Sequence, residues 1–231
     1  IRDRCTREHV QDAKREVGRR QAGGSSFERQ SSDKIPMTMV VEKDSPSLSG
    51  DCDRRARVNF AASVRALQEA CPWVGAVAFP DGEVVAARDG SLSLRPNGGW
   101  LGDCSVPRVT ARRMLAAVQP SGPVACLLEP PHAQTILETL SRLGPDRAVI
   151  AVVAEEALPG ICACADLSEA LAAHRLFVLT APRQLSQLYD VHPGLSLPSY
   201  FIRLSFLDDV RASRLIAEVQ AAILPVMERQ K

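Results

Sequence analysis

Three short apolar runs in the second half of the chain most constrain its fold: "VACLL", "AVIAVV" and "LFVL", which begin at Val124, Ala148 and Leu176. Each run is almost continuously apolar, as strands buried on both faces are. A helical pattern lies between each pair of runs, "HAQTILETLSRL" and "DLSEALAAH". Strand, helix and strand in this order form βαβ units, whose right-handed crossovers make the strands parallel. We therefore predict an α/β fold with a mostly parallel sheet and flanking helices.

The segment before these runs predicts smaller elements. The stretch "RVNFAASVRALQEA" has apolar residues at helical spacing, and Pro72 follows it. Three β-prone runs come next, separated by Asp81-Gly82 and Asp89-Gly90, which predict the turns of a small antiparallel β-meander. A glycine-rich loop leads to a helix in "SVPRVTARRMLAAV", with Ser105 as its N-cap. We divide the domain into a helix and meander over about 56–103 and a βαβ core over about 104–231.

Residues 1–55 differ in composition from the rest of the chain. They combine charges of both signs with "GGSS" and "DSPSLSGDCD" and hold only scattered apolar residues. Such a segment buries too little apolar surface to offset the entropy lost on ordering, so we predict a disordered or non-native N-terminal segment. Because the chain opens with Ile1, we expect either a natural start at Met37 or Met39 or a fragment of a longer chain.

Charge and cysteine content narrow the class of protein. The 28 Lys and Arg residues nearly balance the 27 Asp and Glu residues, which leaves a net charge of +1. This balance argues against a nucleic-acid partner held through its phosphates. The longest apolar run falls far short of the roughly 20 residues of a membrane-spanning helix, so no membrane span is expected. Seven cysteines without a disulfide-type spacing favour free thiols and a cytoplasmic location.

Glu129 is the first candidate site residue. It directly follows the first apolar run, in "VACLLEPPHAQTIL", while Glu155, Glu156 and Thr180 follow the next two runs. Ligands of parallel sheets gather beyond the carboxyl ends of the strands, where a carboxylate can accept hydrogen bonds from ribose hydroxyls. Two interpretations stay open. Either Glu129 binds a ligand, or it is only the polar edge of a turn from strand to helix.

The stretch "GGWLGDCSVPRVTARR" is the second candidate site. Its glycines approach a helix N-terminus, where free backbone N–H groups and the helix dipole favour a phosphate. Two arginines near that N-terminus are unfavourable unless an anion lies beside them. The alternative is a plain loop with solvated arginines, since the spacing is not GxGxxG. The residues concerned are Gly98, Gly99, Gly102, Arg108 and Arg112.

Histidines and cysteines give weaker signals. His192, in the loop sequence "VHPGLSLP", is the histidine that we select for a functional test. Cys162 and Cys164 in "GICACAD" lack the second ligand pair of a structural zinc site, so we interpret them as part of a buried β segment and predict no metal. No GxSxG, HExxH or P-loop motif occurs, and catalytic residues stay unassigned. The four histidines show no ligand spacing: His9, His132, His174 and His192.

The order of four segments resembles the region that precedes the catalytic part of bacterial glycosyltransferase-like proteins, relatives of motility-associated and spore-maturation glycosyltransferases. The segments are "GGWLGDCSVPRVTARRML", "VACLLEPPHAQTILETLSRLGPDRAVIAVV", "DLSEALAAHRLFVLTAP" and "HPGLSLPSYFIRL". The resemblance covers roughly residues 57–231 and rests on a strand that ends in Glu-Pro and a His-Pro-Gly loop. It implies a Rossmann-like domain upstream of a second α/β domain, and transfer of a sugar from a nucleotide donor.

Three functional hypotheses follow. The first is the N-terminal domain of a glycosyltransferase-like protein, which contributes to binding a nucleotide sugar or an acceptor and whose catalytic half lies outside this sequence. The second is a methyltransferase-like Rossmann domain with Glu129 on the ribose of S-adenosylmethionine. The third is a non-catalytic assembly module. No cofactor is predicted. The expected partners are a small nucleotide ligand, with a nucleotide sugar as substrate, and the second α/β domain.

Overall fold

The computed structural model describes residues 48–119, 121–204 and 207–229. The predicted disorder of residues 1–47 and the predicted start at Met37 or Met39 lie outside the described residues. The described part has an α/β fold, with a four-stranded parallel sheet, a two-stranded antiparallel sheet and α-helices. The predicted α/β class is confirmed.

The parallel sheet contains the three predicted strands and a fourth. Strands β3 (Val124–Leu128), β4 (Ala148–Val152) and β5 (Leu176–Leu179) coincide with the three apolar runs. Every residue of these strands is buried, because protein covers both faces of the sheet. The fourth strand, β6 (Tyr200–Ile202), is short and pairs with β3 from Ala125 to Leu127.

The strand order reverses beside β3. From β3 the chain moves outward to β4 and then β5, and it returns to place β6 on the other side of β3, which gives the order β5-β4-β3-β6. Such a reversal leaves a crevice beyond the carboxyl ends of the two strands that flank it, where ligands of open parallel sheets bind. Glu129, the residue after β3, lies at this crevice.

The helices between these strands largely follow the sequence patterns. Helix α3 (Ala133–Leu143) connects β3 to β4 and ends at Gly144, whose φ of 82° is left-handed. Two helices, α4 (Leu158–Cys164) and α5 (Ser168–Ala172), connect β4 to β5. The interpretation of "GICACAD" as a β segment is therefore wrong. Nearly all of α4 is buried, so its sequence lacks the polar positions that would reveal a helical period.

Helix α1 (Leu48–Ala70) begins earlier than the sequence predicts. The helix predicted from residue 57 onward is the second part of α1. The predicted disorder is wrong for residues 48–55, which form the first part of the helix. Cys52 and Ala56 are buried in this first half, although the surrounding "DCDRRAR" is mostly charged. Ser63 on α1 also accepts a hydrogen bond from the Leu167 N–H at 2.9 Å, which fastens α1 to the start of α5.

The antiparallel sheet has two strands instead of three. Strands β1 (Glu83–Ala86) and β2 (Leu92–Arg95) form a hairpin around the predicted Asp89-Gly90 turn. The first β-prone run, "VGAVAF", is not a strand. Val77 and Phe79 of this run pack against the core, but Gly75, Ala76 and Ala78 are exposed, and no described strand pairs with the run. The predicted meander is corrected to a single hairpin.

The described residues contain three further α-helices: α2 (Pro107–Met114), α6 (Leu185–Val191) and α7 (Asp209–Arg229). Helix α7 packs on α6 and buries Ala212, Val219, Ile223 and Val226 along one side. Neither α7 nor any other helix in the described ranges is both long enough and apolar enough to cross a membrane.

The glycine-rich loop packs closely against the turn that follows β3. Two 3-10 turns, Pro96–Gly98 and Leu101–Asp103, shape the loop. Gly102 has a φ of 63°, and a Cβ added to it would lie 2.7 Å from the Cβ of Pro131. Only a glycine allows this backbone to approach Pro131 so closely.

We predict that Gly102→Ala costs more stability than Gly98→Ala. Both glycines have positive φ, which costs an alanine about 1 to 2 kcal/mol. An added Cβ at Gly98 meets no atom within 4 Å, whereas at Gly102 it collides with Pro131, and such overpacking costs about 1 to 3 kcal/mol more. Urea denaturation of the two variants measures the difference. Equal losses would contradict the described packing of the loop.

Candidate functional site

Glu129 stands in an unusual backbone conformation at the end of β3. Its φ is 40°, in the left-handed region that residues other than glycine seldom adopt. Its N–H donates to the carbonyl of Val152 at 2.7 Å, which extends the β3–β4 pairing by one residue. Its side chain is only 15% exposed. The carboxylate is therefore held against the protein at the sheet edge instead of extending freely into solvent.

An ion pair holds the Glu129 carboxylate. Arg211 Nη2 donates a hydrogen bond to Oε1 at 2.8 Å, and Arg211 Nε lies 2.7 Å from Oε2. The hydrogen bond and the charge of Glu129 raise the pKa of Arg211 above its ordinary value, and the charges of Glu156 and Asp208 add to the effect. Asp208 also accepts the Arg211 N–H at 2.8 Å, which caps the first turn of α7.

A cleft of about 460 Å³ opens beside this ion pair. Glu129 contributes the sheet side of the cleft, and the first turns of α7 contribute the other side. Three carboxylates and two guanidiniums line the cleft, and the exposed Glu156 lies near enough to influence Arg211. The lining residues are Glu129, Asp208, Val210, Arg211, Arg214, Leu215 and Glu218.

The polar groups of the cleft suit a ligand with several hydroxyl groups better than a free anion. Arg214 is paired with Glu218 at 2.8 Å, and Arg211 is paired with Glu129, so each cation already has a carboxylate partner. A phosphate would meet an excess of negative charge here. Carboxylates accept hydrogen bonds from hydroxyls and guanidiniums donate to them, so the two kinds of group together can satisfy a polyol.

Asp89 occupies the helix N-terminus that the sequence marks as a phosphate site. Its Oδ2 accepts the N–H of Arg108 at 2.7 Å and the N–H of Val109 at 3.2 Å, while Pro107 at the first position of α2 has no N–H. The prediction that Ser105 is the N-cap is wrong. Val106 occupies the N-cap position, and the carboxylate that caps the helix comes from the hairpin. The expected anion is therefore a residue of the chain itself, and a phosphate would have to displace it.

The other residues of that predicted site lie apart from the cleft. The Nε atom of Arg112 lies 3.6 Å from Oε2 of Glu138 on α3, and Arg108 is exposed.

The glycines of the loop make hydrogen bonds within the loop. The carbonyl of Gly98 accepts a hydrogen bond from Arg95, and the N–H of Gly99 donates to the carbonyl of Pro96. Gly102 contacts Pro131, two residues beyond Glu129. Among the described residues, the loop reaches the turn after Glu129, but neither the loop nor α2 contributes to the lining of the cleft.

His192 lies at the opposite edge of the sheet from Glu129. It follows α6, and its ring centroid is 5.0 Å from that of His174 and 4.9 Å from that of Phe177. His174 precedes β5, so this edge is the amino-terminal edge of the parallel strands. The structure therefore separates His192 from the cleft.

His132 is a buried imidazole that the sequence pattern does not single out. It is the N-cap residue of α3 and only 2% exposed, with Nδ1 3.2 Å from Thr135 Oγ1. Its Nε2 is buried without a hydrogen-bond partner among the described residues. Burial lowers the pKa of His132 to about 4, against the opposing effects of its own backbone and of the Asp89 charge. The ring is therefore neutral at pH 7.

The cysteines form no metal centre within the described ranges. Burial raises the pKa of Cys162 and of Cys164 to about 12, so both thiols stay protonated. No cluster of three or more metal-ligating side chains occurs among the residues that the structure describes. The two thiols pack as small apolar groups in α4.

Comparison of the chain with known proteins finds no matching family model, no matching curated protein and no matching solved structure. The resemblance in segment order to glycosyltransferase-like proteins therefore remains a hypothesis.

We predict that Asp89→Ala destabilises the protein by about 1 to 2 kcal/mol, because it removes the cap of α2. Burial acts to raise the pKa of Asp89, but hydrogen bonds from Ser91, Val109 and Arg108 outweigh it and hold the pKa below its ordinary value. The matched control is Asp81→Ala at the other Asp-Gly, where the side chain is exposed. Urea denaturation at pH 7 measures both variants, and an equal loss in the control would refute the capping role.

We predict that His132 makes stability fall as the pH is lowered from 6.5 to 4. The unfolded state binds its proton near pH 6.5 and the folded state only near pH 4, so folding opposes protonation throughout this window. The loss by pH 4 is on the order of 3 kcal/mol. The measurement compares urea midpoints of the wild type and His132→Asn across the window. Carboxylate contributions cancel between the two proteins, so parallel curves would rule out the His132 effect.

Proposed function

We propose that this chain is the Rossmann-like, ligand-binding domain of a glycosyltransferase-like protein, and that its site is the cleft between Glu129 and the start of α7. The ligand that we infer is polyhydroxylated, such as the sugar of a nucleotide sugar, its ribose, or a glycan acceptor. The role assigned to these residues is binding. The transfer reaction itself is proposed for another part of a longer chain.

The position of Glu129 carries this proposal. It follows β3, the strand at which the order reverses, and such a position is where parallel sheets bind ligands. Its φ of 40° adds a second reason. A residue in this conformation is strained by roughly 1 to 3 kcal/mol, and strain of this kind concentrates at functional sites.

The ion pair leaves Glu129 able to bind hydroxyl groups. A carboxylate has about four acceptor sites, and the hydrogen bond from Arg211 Nη2 takes one of them on Oε1. Two neighbouring hydroxyls of a sugar can donate to the remaining positions. Arg211 meanwhile fixes the orientation of the carboxylate, so little side-chain entropy is lost when the ligand binds.

The geometry favours this proposal over the methyltransferase hypothesis. A Rossmann domain that binds a nucleotide cofactor carries its glycine-rich turn between the first strand and its helix. Here that turn is Glu129, Pro130, Pro131 and His132, and the glycine-rich loop lies before α2. The third hypothesis, a non-catalytic assembly module, predicts no ligand in the cleft.

We expect one or more nucleotide sugars, or the free sugars they carry, to stabilise the protein in a thermal-shift screen. A ligand at 100 times its dissociation constant adds about 2.7 kcal/mol. Glu129→Gln should weaken binding of that ligand roughly tenfold or more, because hydrogen bonds to a charged group contribute about 1.5 to 3 kcal/mol. The matched control is Glu83→Gln on the hairpin, where the carboxylate is exposed and is not among the residues that line the cleft.

The three hypotheses give different outcomes in this screen. Stabilisation by a nucleotide sugar or sugar that Glu129→Gln abolishes supports the proposed function. Stabilisation by S-adenosylmethionine alone supports the methyltransferase hypothesis instead. If no compound stabilises the protein, or if Glu129→Gln binds as tightly as Glu83→Gln, the cleft is not the binding site.

A further inference from the structure

Folding brings together two histidines that lie 18 positions apart in the sequence. His174 lies just before β5, and His192 directly follows α6. Their ring centroids are 5.0 Å apart, with an angle of 57° between the ring planes. His174 is exposed and His192 is half-buried, so both residues are at least partly accessible to solvent.

The separation of the rings matches chelation of one metal ion. An imidazole nitrogen binds zinc at about 2.0 to 2.1 Å, and two rings at a tetrahedral angle around one ion then have centroids about 5 Å apart. The observed 5.0 Å lies at this distance. Imidazole nitrogen is a ligand that Zn²⁺, Ni²⁺ and Cu²⁺ all accept.

Neighbouring groups hold both rings in place. The His192 Nε2 lies 3.4 Å from the carbonyl of Ala70, an arrangement in which Nε2–H donates and Nδ1 keeps the lone pair. Metal-binding histidines commonly donate their second ring N–H to a backbone carbonyl in this way. The His174 ring stacks on Phe177 with an interplanar angle of 13°, and the backbone of His174 is held at a φ of 52°.

We propose that His174 and His192 form a two-histidine site for a divalent transition-metal ion, with the remaining coordination positions filled by solvent or by an exogenous ligand. This site lies at the amino-terminal edge of the sheet, opposite the cleft at Glu129, and it does not depend on the proposed sugar-binding function. It reverses the expectation from sequence that the chain holds no metal. The general order of stability makes Cu²⁺ the tightest of the three ions.

Trp73 provides a reporter for this site. Its ring centroid is 6.3 Å from that of His192, and the chain has only two tryptophans. In a Trp100→Phe background, Trp73 is the sole tryptophan, and Cu²⁺ bound at the two histidines should quench its fluorescence. Isothermal titration with Cu²⁺ and with Zn²⁺ gives the stoichiometry, for which we expect one ion per chain.

Single substitutions decide the assignment. His174→Asn and His192→Asn should each weaken Cu²⁺ binding about tenfold or more, in fluorescence and in calorimetry. His9→Asn is the control for loss of a histidine elsewhere in the chain, and it should leave the affinity unchanged. His174 is exposed, so its variant keeps the fold even if His192→Asn does not. Tight binding that survives His174→Asn, or absence of saturable Cu²⁺ binding to the parent protein, would overturn the proposal.

Discussion

Complete burial of β3 is the constraint on which the rest of the described structure depends. All five of its residues are buried, so its backbone polar groups must find partners within the protein. Strand β4 pairs with it on one side and β6 on the other, and helices must cover both faces. Because β6 pairs on the side opposite β4, the chain reverses beside β3. That reversal in turn places Glu129 at a crevice.

The parts of the fold that the sequence predicts are those with strong local patterns. Strands β3, β4 and β5 are uninterrupted apolar runs, and Gly144 marks the end of α3. Strand β6 shows no such pattern, since two of its three residues are only partly buried. Helix α4 is buried on all sides and therefore lacks an amphipathic period.

The candidate sites were harder to predict because their partners are distant in sequence. The place of Glu129 after a strand marks it as a candidate, but Arg211 lies 82 positions away and no local pattern connects the two. The sequence around the N-terminus of α2 indicates an anion, but the anion is Asp89, 19 positions before Arg108, whose local sequence indicates only a hairpin turn. His174 and His192 show no ligand spacing and meet only through the tertiary fold.

The pair of Glu129 and Arg211 also makes the docking of α7 sensitive to ionic strength at one end. The Arg211 side chain is 55% exposed, so dissolved ions can screen its attraction to Glu129. Farther along the helix, Val219, Ile223 and Val226 are buried, and apolar contact of this kind does not weaken with salt. Rising salt therefore weakens this one attachment of α7, whereas its apolar contacts, which include Ala212 next to Arg211, persist. The orientation of the Glu129 carboxylate is thereby more sensitive to ionic strength than the docking of the helix that carries Arg211.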